Sequence, residues 1–204
     1  KVVRFPAWVD FEIFSNVKPL RNNEKNFKIL FIGSVTDRKK PHLIVEAMNN
    51  FNSKDIKLYI VGPTPNENYL SQLKKLVQEY DLVDQVSFTG SIDRKSVMDH
   101  YADTNLMILP SVSEGLARVI FESQVTACPV LVTDAPGMGD IVIDGQTGYI
   151  FESDNLESLT SKIQEIKNNY QDAIHVGNNA KNFILSNYSA DNFKFSFKKL
   201  FDAV

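Results

Sequence analysis

Two glutamates, Glu114 and Glu122, stand with seven residues between them in the otherwise apolar stretch PSVSEGLARVIFES, residues 110–123. An ionised carboxylate in such a setting is costly unless it reaches solvent, caps a helix or binds a partner. If the intervening residues are helical, the two carboxylates lie roughly 12 Å apart along the axis and about 80° apart around it, a spacing that suits the two ends of one elongated ligand. Each also has an ordinary structural explanation. Ser111 to Glu114 fits a capping box, in which the Glu reaches back to the cap N–H at a helix start. Glu122 would then pair with a lysine or accept backbone hydrogen bonds.

A second group able to do chemistry is Arg38, Lys39 and Lys40, inside GSVTDRKKP, residues 33–41. Pro41 suits the first position of a helix. Cations at a helix start oppose its dipole, which makes sense where an anion sits between them. Arg offers a diphosphate a bidentate fork and Lys a point charge. The alternative is a solvated cationic loop. Gly33, Gly62, Gly90 and Gly115 are turn residues or places where a ligand approaches the backbone. The three histidines, His42, His100 and His175, have no metal-ligand spacing. Ser111 and Ser113 lack the G-x-S-x-G setting of a hydrolase, and the glycine fingerprints of dinucleotide and P-loop proteins are absent.

The elements that must position these groups alternate. Short apolar runs at 28–33, 56–62, 85–90, 105–110, 128–133 and 148–151 read as strands. Between them, apolar residues recur every three or four positions in PHLIVEAMNNF, ENYLSQLKKLVQEY, RKSVMDHYADT and GLARVIFESQVTA, which read as helices. Further helices are expected at 155–169, 172–186 and 190–202. Strands apolar on both faces, alternating with helices, imply an α/β fold: a doubly wound parallel sheet with helices on both faces. Five strands end in turn residues, so five loops share the carboxyl edge, where such sheets bind ligands. Helices starting there favour an anionic ligand, in particular a nucleotide.

Composition narrows the partners. The 204 residues suffice for one well-buried domain with an appended helix or linker. A formal charge of −3 argues against nucleic-acid binding by bulk electrostatics. One cysteine, Cys128, excludes an internal disulfide and a cysteine-based zinc site, pointing to a reducing compartment. No apolar run approaches the length of a membrane span, and the first residues are not a signal peptide. Peripheral membrane contact stays open.

Three segments together, FIGSVTDRKKP, VSFTGSIDRKSVMDHYADTNLMILPSVSEGLARVIFES and CPVLVTDAPGMGDIVIDGQTGYIF, resemble the carboxyl-terminal half of retaining glycosyltransferases of the GT-B fold, the glycosyl transferases group 1 family. The resemblance runs from about Lys28 to Leu159. Its most specific element is E-x7-E, here Glu114 and Glu122. It implies a Rossmann-like donor-binding domain that takes a nucleotide diphosphate sugar, with uridine the common base, and needs no metal or cofactor.

By the same resemblance, Glu114 contacts the transferred sugar as the catalytic-site residue, and Glu122 holds the ribose. The backbone of Gly115, Leu116 and Ala117 approaches sugar and phosphates. The diphosphate falls to Arg38 and Lys39 beyond Gly33, with Lys40 able to replace either, and the loop from Gly90 to Ile92 lies against the base. Departures from the family pattern are Ser34 in place of an Arg, Ala117 in place of Gly or Pro, and Asp140 in place of Glu. The expected division is an interdomain linker over 1–18, the donor domain over 19–188, and over 189–204 a helix packing back towards an amino-terminal acceptor domain missing from this chain. The implied activity is sugar transfer to a hydroxyl acceptor in glycan or glycoconjugate synthesis, by a cytoplasmic enzyme with peripheral membrane association open; the fragment alone is expected to be inactive. A non-catalytic binding or assembly module of the same fold is the alternative.

Overall fold

The computed structural model describes residues 11–21, 26–51, 53–115, 117–139 and 141–201. Strands β1 (Phe27–Ile32), β2 (Ile56–Val61), β3 (Val86–Gly90), β4 (Leu106–Leu109), β5 (Val130–Thr133) and β6 (Tyr149–Phe151) form one sheet in the order β3-β2-β1-β4-β5-β6. All neighbours are parallel, and β1 lies between β2 and β4, with Ile29 opposite Leu58 on one side and Leu106 on the other. All four residues of β4 and of β5 are buried, whereas the edge strand β3 exposes Ser87 and Thr89. Burial on both faces explains why the inner strands read as unbroken apolar runs.

The helices are α1 (Phe11–Ser15), α2 (Pro41–Asn49), α3 (Glu67–Glu79), α4 (Arg94–Asp103), α5 (Arg118–Val125), α6 (Leu156–Asn168), α7 (Tyr170–Asn187) and α8 (Ala190–Phe201). A 3₁₀ turn, Asp37–Lys39, precedes α2. The expected strands and long helices all form, with ends shifted by no more than three residues. α6 packs on α2, and α7 on α5. Within the expected linker, residues 1–10 lie outside the description, and α1 packs on α5 with Phe14 buried edge-on to Tyr101.

The helices that begin on the carboxyl edge differ in how their first N–H groups are met. Asn66 accepts from the Tyr69 N–H at the start of α3, Asp93 from Ser96 at α4, and Asn155 from Ser158 at α6. These side-chain caps satisfy donors that a helix leaves unpaired. α2 and α5 have none: their caps are Lys40, in the left-handed conformation at φ 47°, and Ala117.

Candidate functional site

The chain leaves β1 through Gly33, at φ 142°, a conformation that side chains rarely adopt. The Lys39 side chain lies over it, so that a Cβ on Gly33 would come within 3.2 Å of Lys39 Nζ. Hydrogen bonds tie this loop to its neighbours: Gly33 N–H donates to Val61 O, Val35 N–H to Pro63 O, and Gly62 N–H to Gly90 O. The first three carboxyl-edge loops therefore form one continuous rim. Gly90 and Ile92 lie on that rim, Ile92 half-buried against the core.

Across the rim stands the loop after β4. Ser111 to Gly115 are not helical, and α5 begins only at Arg118, so the capping-box reading of Ser111 and Glu114 does not hold. Tertiary hydrogen bonds hold this segment in its extended path instead. Val112 N–H donates to Arg38 O, Glu114 N–H to Pro136 O at 3.3 Å, and Thr133 Oγ1 to Ser111 O at 2.7 Å. The helical spacing expected for the two glutamates fails for the same reason.

The Glu114 side chain, only 7% exposed, turns towards the first loop. Its Oε1 accepts from Ser111 Oγ at 2.7 Å and lies 3.0 Å from Lys39 Nζ. Its Oε2 lies 3.6 Å from Arg38 Nη1, and Arg38 also donates to Ser113 O. Burial would raise the Glu114 carboxyl, but Ser111, Lys39 and Arg38 outweigh it and hold the group below its ordinary range. Lys40 turns away to pair with Asp154, so of the three cations only Arg38 and Lys39 meet Glu114.

Glu122 sits in the second turn of α5 and faces α4. Its Oε2 accepts from the Tyr101 hydroxyl at 3.1 Å, and no hydrogen bond reaches its Oε1 among the described residues. Burial raises its carboxyl above the ordinary range, with Tyr101, Arg118 and Arg94 only partly offsetting the effect. Gly115 borders open space, and Ala117 is buried at the cap of α5. Leu116 and Asp140 lie outside the described residues.

Several contributors escaped the sequence reading. Ser111, read only as a helix cap for Glu114, donates to its carboxylate instead, and Pro136 with Gly137 holds the Glu114 backbone from the loop after β5. Tyr101 orients Glu122. The run TDAPGMGD marked a turn, but only the fold shows that this turn touches Glu114. His42, expected as an ordinary helix residue, shares a 2.7 Å hydrogen bond with the Tyr69 hydroxyl. Among the described residues, no three or more His, Cys, Asp or Glu gather to hold a metal, and no helix is long and apolar enough to cross a membrane.

A parallel sheet in this order, with its polar loops along one carboxyl edge, is a Rossmann-like domain, and solved structures similar to it include glycosyltransferases of the GT-B fold. Crystalline Anabaena Alr3699/HepE in complex with UDP superposes with a TM-score of 0.85 at 16% identity, over 96% of this chain and 56% of that one. The C-terminal domain of the glycosyl transferase group 1 family protein LpcC from Francisella tularensis matches at 0.74 and 18% identity, over 92% of this chain and 97% of that one. At such identities the likeness establishes the fold. The sequence model for glycosyl transferases group 1 matches residues 12–183, and the chain belongs to that family. The capsular polysaccharide biosynthesis glycosyltransferase CapM of Staphylococcus aureus is 25% identical over 175 residues, covering 81% of this chain and 43% of that protein. The chain spans about half the length of the curated relatives it matches.

Proposed function

We propose that this chain is the donor-binding domain of a retaining glycosyltransferase that moves a sugar from a nucleotide diphosphate sugar to a hydroxyl acceptor. The observation that carries this reading is the convergence of Arg38 and Lys39 on Glu114 at the carboxyl edge. The two cations suit a diphosphate, Arg38 as a fork and Lys39 as a point charge. α2 and α5, the two helices flanking this corner, lack side-chain caps; Pro41 carries no N–H, and the Leu43 and Ile120 N–H groups bond to Lys40 O and Ala117 O, which leaves the His42 and Arg118 N–H groups for phosphate oxygens.

In this reading the fixed cations and helix starts stabilise charge as it develops on the departing diphosphate, with little reorganisation during reaction. Glu114 accepts hydrogen bonds from the transferred sugar and orients it. Glu122 uses Oε1 for the ribose hydroxyls while Tyr101 holds Oε2. Gly90 and Ile92 flank the base, and the backbone of Gly115, Leu116 and Ala117 meets the sugar and phosphates. Uridine is the proposed base, in keeping with a structural neighbour solved with UDP. The acceptor would be held by the remainder of a longer protein, working in the cytoplasm or at a membrane surface. The chain alone is expected to bind nucleotide weakly and to transfer nothing.

Titration calorimetry with UDP and GDP tests the reading. Binding of one nucleotide, weakened by Glu122→Ala, supports it. A chain blind to both, with Glu122→Ala making no difference, would point instead to a non-catalytic module.

A further inference from the structure

The polar corner holds two cations and one carboxylate, and the carboxylate pairs closely with Lys39 and lies near Arg38. Lys39 Nζ lies 3.0 Å from Glu114 Oε1, and Arg38 Nη1 lies 3.6 Å from Oε2. Carboxylate and phosphate oxygens compete for the same donors on Lys and Arg. A diphosphate arriving at Arg38 and Lys39 must therefore share them with Glu114 or displace it. The geometry limits who can yield. Lys39, 12% exposed and lying on Gly33, has little room to retreat. The Glu114 backbone is fastened on both sides, by Pro136 O to its N–H and by Gly137 against its carbonyl. Arg38, 51% exposed, can swing to meet a phosphate, so the contest falls on Lys39, and there it is the Glu114 side chain that turns.

A buried carboxylate that loses its cations needs replacement partners, or it stays desolvated beside a new negative charge. A nucleotide sugar brings replacements, because sugar hydroxyls donate hydrogen bonds. A free nucleoside diphosphate brings none, and its terminal phosphate carries additional negative charge. Both differences act in the same direction.

We propose that Glu114 is a specificity-determining residue: by competing with phosphate for Arg38 and Lys39 and giving way to a sugar hydroxyl, it makes the site prefer a nucleotide sugar to the free nucleoside diphosphate. The inference rests on the reading of the site as a nucleotide-sugar site and adds to it a means of expelling the spent diphosphate. Ser111 tunes the competition, since its hydroxyl stabilises the Glu114 pose that blocks the cations.

The test is calorimetry on the 204-residue chain with UDP, UDP-glucose, GDP and GDP-mannose, comparing wild type, Glu114→Gln and Ser111→Ala. Gln keeps the shape and can still accept from Ser111, but it no longer neutralises the cations. The expected result for Glu114→Gln is tighter binding of the free diphosphate by about tenfold, the worth of one charge-assisted hydrogen bond. The nucleotide sugar should gain nothing, so the preference collapses. Ser111→Ala should shift the free diphosphate in the same direction by a smaller factor, and it serves as the readout if Glu114→Gln does not fold. Wild-type binding combined with unchanged or weaker diphosphate affinity in the variants overturns this inference alone. Failure of the wild type to bind any of the four ligands overturns the underlying reading as well.

Discussion

Gly137 packs directly beneath the Glu114 carbonyl: a Cβ built on Gly137 would stand 2.1 Å from that oxygen. The contact joins the loop after β5 to the loop after β4, and it places the candidate sugar-contacting residue. Gly137 also adopts φ 93°, which strains any side chain. Gly137→Ala is expected to cost roughly 1–3 kcal/mol, as overpacking does. Gly139→Ala, where a Cβ meets open space, should stay within about 0.5 kcal/mol. Denaturant unfolding of the two variants checks both values.

The neighbouring lysines are expected to differ in their effect on stability. Lys39→Ala leaves the nearly buried Glu114 carboxylate with only Ser111 and the half-exposed Arg38, a loss of roughly 1–3 kcal/mol. Lys40→Ala removes an ion pair to the exposed Asp154, a loss below about 1 kcal/mol. The same variants should separate in nucleotide affinity, with Lys39→Ala the weaker binder. Equal effects from both would mean that Lys39 has no special place.

Tyr101 is fully buried, and its hydroxyl donates to Glu122 Oε2. Tyr101→Phe should cost about 1 kcal/mol, the usual net worth of such a bond. It should also raise the Glu122 carboxyl further, because the hydrogen bond is the largest influence now lowering it. Carboxyl-detected NMR titration of Glu122 in the two proteins measures that shift.

Two half-buried groups give the stability opposite pH dependences. Burial raises Glu122, so between the ordinary value of about 4.3 and the raised one the folded chain holds more protons than the unfolded chain. Its contribution is present in full at acid pH and is lost as pH rises through the raised value. Burial lowers His42, so the unfolded chain holds more protons below an ordinary value of about 6.5. That contribution is present above the ordinary value and is lost as pH falls through the lowered one. Urea unfolding from pH 4 to 8 should show Glu122→Gln removing the decline towards neutral pH and His42→Gln removing the decline towards acid.

Much of the molecule was legible without coordinates. Periodicity separates inner strands such as LMIL from amphipathic helices such as ENYLSQLKKLVQE, because burial on two faces and burial on one leave different patterns. Turn residues at the strand ends placed the candidate loops on one edge. The spacing of Glu114 and Glu122 and the Arg38-Lys39 pair marked the two halves of the candidate site.

Tertiary structure decided how those residues are used. Ser111 to Glu114 satisfies a local capping rule, yet Arg38, Thr133 and Pro136 supply hydrogen bonds from distant loops that hold the segment out of the helix. Adjacent Lys39 and Lys40 are alike in sequence, but the left-handed turn at Lys40 sends one to Glu114 and the other to Asp154. Tyr101 and Gly137 act across sequence separations that no local pattern encodes. Local periodicity reports which face of an element is buried, whereas partner choice at a site depends on loops brought together only when the sheet closes in its 3-2-1-4-5-6 order.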